Sequence, residues 1–206
     1  MRVSRKKSAE SRERILDAAA KLFREKGFHG IGLANIMKAA GLTHGGFYGH
    51  FDSKDDLEAQ AICHVLANAA ADWSRLLERA PARPLATLLG EYLCPRHRDD
   101  LGKGCPLPAL GADVGRQGER VRSAFTAGLK PILNLLSNVV PGRSKAERRC
   151  KAIATMAEMV GALILARAVD DSALSDEILT ATLLDLSEQS ESSCVAKRLS
   201  SLPKPA

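Results

Sequence analysis

Two groups of residues could do covalent or metal chemistry. Cys105 and His97 would supply a thiol nucleophile and an imidazole base. No third residue stands ready to orient the histidine and no phosphate-cradling loop accompanies the pair, so a thiol-dependent enzyme is the weaker alternative. Cys94, His97 and Cys105 would offer three metal ligands, but their irregular spacing falls short of a structural zinc site. No metal and no cofactor are therefore expected. The stronger signal is a cluster of cations. Residues 1–54 hold eleven Lys and Arg against five Asp and Glu, and the remainder holds nineteen of each, so the whole net charge of +6 lies in the first quarter. A localised basic end on a neutral body suits a polyanion-binding module joined to something else.

Other classes fall away on composition. The chain has 206 residues, 45% of them apolar, enough for one large domain or two smaller ones. Its longest apolar stretch, Met159 to Ala166, is too short to span a bilayer and ends at Arg167. The N-terminal MRVSRKKSAESRER lacks an apolar core, so no signal peptide is expected. Five cysteines, odd in number and without a CxxC pair, point to reduced thiols. The expectation is a cytoplasmic protein with no membrane partner.

The elements that must position the cations read as helices throughout. Ile15, Leu16, Ala19, Leu22 and Phe23 share one helical face, with Ser8 as the expected cap and Gly27 as the stop. A short helix, Leu33 to Ala40, ends at Gly41, and Thr43 caps a very short third element to about His50. Ser53-Lys54-Asp55-Asp56 reads as a capping box opening a helix from Lys54 to about Arg79. Further helices are expected near 84–97, 106–114, 117–138, 145–169 and 174–190, the third of these kinked or broken at Pro131. The class is all-α, about nine helices. The third element, HGGFYGHF, has poor helix propensity because Gly45, Gly46 and Gly49 each cost about 1 kcal/mol there. Only packing by Phe47 and Phe51 would hold it, and the glycines would then serve close approach to another backbone.

Helix, short helix, Gly41-Leu42-Thr43 turn and a second short helix match helix-turn-helix geometry. Phe23-Arg24-Glu25-Lys26-Gly27-Phe28, Ile36, Ala40-Gly41-Leu42-Thr43, Gly46-Phe47-Tyr48-Gly49-His50-Phe51 and Ser53-Lys54-Asp55-Asp56-Leu57, in that order and spacing, closely resemble the DNA-binding domain of the TetR (tetracycline-repressor-type) family of transcriptional regulators. The resemblance spans about residues 9–69. It implies a homodimer with one helix-turn-helix per subunit, residues 32–51, and a helical C-terminal domain, 70–190, that binds an inducer. Residues 1–8 would be a mobile basic arm and 191–206 a mobile tail. Thr43, His44, Gly45 and Gly46 would face the major groove, and Tyr48, His50 and Lys54 would contact phosphates. Ile31-Gly32 stands where family members usually carry Thr or Ser pairs, so no hydroxyl–phosphate contact is expected at the start of the second helix; Gly46 stands where Thr, Ser or Ala is common, so base readout rests on fewer side chains here.

The resemblance also implies the mechanism. An inducer, a small molecule or an electrophile, would shift the helix beginning at Lys54 and release a pseudo-palindromic operator in double-stranded DNA; repression is the default and activation the alternative. Pocket candidates are Trp73, Tyr92, His97, Cys105, Phe125, Met156 and Met159, with core as the default reading of such side chains. Cys105, between Gly104 and Pro106, is the expected N-cap of the next helix, where the dipole favours a thiolate, whereas Cys63, Cys94 and Cys150 are expected to be small buried thiols. For the homodimer, Ile153, Met156, Ala157, Val160, Gly161 and Ile164 form one apolar face, and Leu179, Leu183 and Leu186 another, which could pair with their two-fold copies as a four-helix bundle.

Overall fold

The computed structural model describes residues 5–200, the last eleven by backbone alone. All regular elements among them are helical: α1 (Arg5–Lys26), α2 (Leu33–Ala39), a 3-10 helix (His44–Gly49), α3 (Lys54–Arg79), α4 (Pro84–Tyr92), α5 (Pro95–Asp99), α6 (Pro106–Val114), α7 (Glu119–Val139), α8 (Lys145–Ala168) and α9 (Ser172–Ser200). They form two compact units. One runs up to Ala71 and takes in Asp100–Pro131; the other comprises Asp72–Asp99 and the chain from Ile132. The expected cut at 69/70 lies close to the first crossing, but residues 100–131 group with the N-terminal unit.

Several boundaries differ from expectation for local reasons. Ser8 is not a cap, since α1 already begins at Arg5; the expected arm 1–8 therefore includes the first turns of α1, and residues 1–4 lie outside the described residues. The expected helix 84–97 is two, α4 and α5, because Pro95 cannot continue the ladder of the first. Conversely, α7 runs on through Pro131. The last helix reaches Ser200 rather than stopping near 190, and residues 201–206 of the expected mobile tail lie outside the described residues.

The N-terminal unit packs α1 on α2 and α6. Ile15, Ala19 and Phe23 of α1, Ile36 and Met37 of α2, Phe47 of the 3-10 helix and Leu57, Ile62 and Leu66 of α3 are essentially removed from solvent. Gly128 of α7 lies against α3 so closely that an added Cβ would stand 2.6 Å from Leu66 Cβ. α3 opens as expected: the Asp56 amide donates to Ser53 Oγ at 3.0 Å, and the Asp52 amide donates to Asp56 Oδ2 at 3.2 Å. A second box opens α8, where the Glu147 amide donates to Ser144 Oγ at 3.1 Å and the Arg143 amide to Glu147 Oε2 at 2.6 Å. That amide, then Lys151, hold the Glu147 carboxyl below its ordinary range.

The C-terminal unit is built on the pairing of α8 with α9, with α4 against α9 and α5 against α8. Met156, Met159, Leu163 and Ala166 of α8 and Leu179 and Leu186 of α9 form its interior with Leu88, Leu89 and Leu136. The face expected to pair with a second copy is thus divided. Met156, Leu179 and Leu186 are core, whereas Ile153 and Ile164 of α8 are 48% and 41% exposed. α5 is fastened by Arg98, which donates to Asp176 Oδ1 at 2.6 Å and Ser175 Oγ at 2.9 Å, and by Arg167, which donates to the His97 and Arg98 carbonyls.

Candidate nucleic-acid interface

α2 turns into the 3-10 helix through backbone bonds that close on themselves. The Leu42 amide donates to Met37 O at 2.9 Å and the Gly41 amide to Lys38 O at 3.0 Å. Gly41 sits at φ +66°, a conformation that costs other residues about 1–2 kcal/mol. Arg14 of α1 donates to the carbonyls of Ala40 and Gly41, and an added Cβ at Gly41 would stand 2.7 Å from its guanidinium. The turn is therefore fixed from the first helix as well as from within.

Thr43 is the N-cap of the next element, as expected, though its side chain accepts no capping bond. The element is a 3-10 helix rather than an α-helix, which suits six residues of which three are glycine. Phe47 pins it: the ring is fully buried, stacks on Phe51 at 5.7 Å and meets Tyr48 edge-on at 5.1 Å. Arg12 of α1 lies over Phe51 at 5.2 Å from the ring centre. With Phe47 inward, Thr43, His44, Gly45, Gly46 and Gly49 are exposed, and Tyr48 is 69% exposed. Added Cβ atoms at Gly32, Gly45 and Gly49 would meet nothing within 4 Å. Internal packing does not demand these glycines. They leave bare backbone on the outer surface, so the close approach they allow is to something outside the described chain.

The expected phosphate contacts differ in availability. Tyr48 presents its ring and hydroxyl outward, and His50 is half-buried. Lys54 is already engaged: its ammonium donates to the Phe28 carbonyl at 2.6 Å and lies 3.5 Å from Glu58 Oε1, with 34% of the side chain exposed. Burial pushes the Glu58 carboxyl up, and Lys54 opposes that shift. Arg5, Lys6, Lys7, Lys21, Lys26 and Lys38 are exposed cations on the same unit. Asp56 is a second node. Its carboxylate accepts from Gln60 at 2.9 Å and Arg120 at 3.1 Å, and Gln60 in turn accepts from Arg12.

The residues named for an inducer pocket are not brought together as a set. Trp73, Tyr92 and His97 stack edge to face, with centroids 6.0 and 4.5 Å apart, and His97 Nδ1 donates to the Tyr92 carbonyl at 2.7 Å. Trp73, Tyr92, Met156 and Met159 are buried. Phe125 and Cys105 belong to the other unit. Cys105 stands at the N-cap position of α6 as expected, its thiol making no capping bond, and is 9% exposed. Burial weakens the hold of the Arg24 guanidinium on its proton, while the charge of Cys105, then Glu25 and Asp100, opposes that. Cys63 and Cys150 are exposed and Cys94 half-buried, contrary to expectation; Cys63 and Cys150 lie on the outer sides of α3 and α8, and Cys94 lies in the bend between α4 and α5. Among the described residues, no three His, Cys, Asp or Glu converge as a metal site, and no helix is long and apolar enough to cross a membrane.

A short helix, a glycine turn and a second short helix carried outward on a three-helix core define a helix-turn-helix DNA-binding protein. Residues 15–61 match the family model of bacterial regulatory proteins of the tetR family. The chain is 27% identical over 168 residues to the HTH-type transcriptional regulator LmrA of Bacillus subtilis, a match covering 79% of this chain and 89% of LmrA. It is 29% identical over 142 residues to the HTH-type transcriptional repressor NemR of Escherichia coli, covering 64% and 67%. The crystal structure of reduced E. coli NemR superposes with a TM-score of 0.72 and 25% identity, covering 85% of this chain and 94% of that one. The chain is thus similar to tetR-family helix-turn-helix transcriptional regulators, with the family model itself matching its residues 15–61.

Proposed function

We propose that this regulator binds a pseudo-palindromic operator as a homodimer and represses transcription until an inducer releases it. The observation that carries the DNA contact is the outward face of the 3-10 helix. His44 and Tyr48 stand exposed there on a backbone stripped of side chains at Gly45, Gly46 and Gly49. Thr43, His44, Gly45 and Gly46 read base edges in the major groove; Tyr48, His50 and Lys54 hold phosphates. Exposed cations of α1 and α2 add the sequence-independent attraction.

The dimer reading is supported by an unpartnered strip on α8. Ile153, Ala157, Val160, Gly161 and Ile164 recur at helical spacing, Leu165 beside them is 57% exposed, and Gly161 has open space above its Cα. Leu184 of α9, 58% exposed, replaces the expected Leu179 and Leu186 on this surface. Pairing two copies there would set the distance between recognition elements, which must suit half-sites about 34–36 Å apart. An inducer that favours another spacing lowers operator affinity by the factor by which operator lowers its own. Repression is the favoured direction because relatives such as NemR are named repressors.

The test is selection from a random-sequence duplex pool with the full chain, followed by anisotropy titration of the enriched DNA. The expected result is a two-fold-symmetric motif bound by two chains. Enrichment of no shared motif would overturn the reading.

A further inference from the structure

The C-terminal unit holds a cavity of about 300 Å³ that no expected pocket residue lines. Its walls are apolar: Leu85 and Leu89 of α4, Val140 and Pro141 after α7, and Leu186 of α9. The polar lining is Lys151 and Thr155, one turn apart on α8, and Gln189 of α9.

The Thr155 hydroxyl is the unusual member. Thr126, Ser137, Thr180, Thr182 and Ser187 all return their hydroxyl to the carbonyl one turn back. Thr155 is only 9% exposed, yet among the described residues none exchanges a hydrogen bond with its side chain. Its hydroxyl opens on the cavity, where a bound partner would satisfy it. Lys151 is 3.4 Å from Glu147 Oε1 and 39% exposed, so its ammonium keeps donors for a second acceptor. Gln189 gives one amide hydrogen to Asp185 Oδ2 at 2.6 Å and retains another. One cation, one hydroxyl and one amide line an otherwise apolar space.

We infer that this cavity is the effector site of the regulator and takes a small organic carboxylate with an apolar tail. The head would lie against Lys151 and Thr155 and the tail among Leu85, Leu89 and Leu186. At about 30 Å³ per water-sized group, the space holds on the order of ten non-hydrogen atoms, the size of an eight-carbon monocarboxylate. Glu147 already shares the Lys151 ammonium and Asp185 the Gln189 amide, so a dianion would be opposed more strongly than a monoanion. The assignment rests on the inducer-released reading, and its ligand chemistry can be judged apart from it.

Octanoate and 1-octanol are the probes, titrated calorimetrically into the full chain. Octanoate should bind the wild type more tightly than octanol. Lys151→Met should weaken octanoate about tenfold or more and octanol less than threefold, as expected for loss of a charged hydrogen bond. Thr155→Val, nearly isosteric, should weaken octanoate several-fold without altering the melting temperature by more than about 2 °C. Ala154→Phe should plug the cavity and abolish both, while operator affinity without octanoate stays unchanged. Octanoate binding that survives Ala154→Phe, or no octanoate binding at millimolar concentration, overturns the site. A wild type that binds operator but is not released by octanoate also overturns the effector role, leaving the regulatory reading intact. Failure to bind any operator would overturn that reading instead, with calorimetry still deciding the cavity.

Discussion

Lys54 gives the sharpest test of how the DNA contacts divide. Its ammonium donates to the buried Phe28 carbonyl and approaches Glu58, so it joins the loop after α1 to the first turn of α3. Replacement by Met keeps the aliphatic stem and removes the charge. If the same ammonium also neutralises one phosphate, the slope of log affinity against log salt should become shallower by about 0.9. Between 50 and 200 mM salt that difference amounts to roughly a 3.5-fold smaller loss of affinity than the wild type shows. The weakening should be uniform across operator variants, because a phosphate carries no sequence information. His44→Ala should do the opposite, leaving the slope unchanged and relaxing preference at one or two base pairs. Lys54→Met also leaves the Phe28 carbonyl without its charged donor, a loss of about 1–3 kcal/mol. Fluorescence anisotropy at five salt concentrations must therefore be run well below each variant's melting temperature. An unchanged slope for Lys54→Met would show that the lysine serves only Phe28 and Glu58. Identical slopes and specificities for the two variants would refute the division of contacts.

Gly41→Ala should lower the melting temperature and weaken operator binding, because about 1–2 kcal/mol of left-handed strain joins a clash with Arg14; unchanged thermal denaturation would refute it. Ile164→Glu places a charge on the exposed strip of α8, and light scattering should fall from twice the chain mass to 22.1 kDa, with operator affinity lost in parallel. Glu58→Gln removes a carboxyl whose folded-state value lies above its ordinary one, a group that destabilises at neutral pH and ceases to do so as pH falls through that raised value towards 4.5. The variant should be more stable than wild type near pH 7, with the gap closing below that window; a gap that widens on acidification would contradict the burial argument.

What was legible in the sequence was whatever rested on local signals. The capping box at Ser53–Asp56, the Gly41 turn, Thr43 at a helix start and Cys105 before Pro106 were all found where the residues put them. Phe47 and Phe51 were named as the packing that holds a glycine-rich element, and both are buried. The misses came from terms that a single periodic pattern does not contain. A face of α8 reads as one apolar stripe, yet Met156 turns inward and Ile153 outward, because the stripe is wider than the contact with its own core. Large side chains such as Trp73 and Met159 suit a core by default and a pocket as well, and packing places them in the core. The cavity was missed because leucines from α4 and α9 and one threonine of α8 carry no shared sequence signal. The engagement of Lys54 by Phe28 joins residues 26 apart through a backbone carbonyl, which sequence does not mark.

The chain passes between its two units three times, and the passages differ in stiffness. At 71/72 it crosses inside α3, through helix free of glycine and proline from end to end. At 99/100 it crosses in the short segment after α5, held on one side by Arg98 and Arg167 and on the other by the Gly104 amide, which donates to Asp100 O at 2.8 Å. At 131/132 it crosses inside α7 at Pro131, which has no amide hydrogen to give the carbonyl one turn back. α3 therefore carries a displacement of either end to the other with little loss, whereas α7 is weakened at the passage itself. The first turn of α3 is also where Ser53, Gln60 and Arg120 converge on Asp56 and where Lys54 meets Phe28. An effector that moves α3 would act on the helix-turn-helix through that turn, and Arg120 at the start of α7 would resist it. Arg120→Ala should then lower the effector concentration needed for operator release while leaving effector affinity for the DNA-free protein unchanged, and equal shifts in both would place Arg120 outside the coupling.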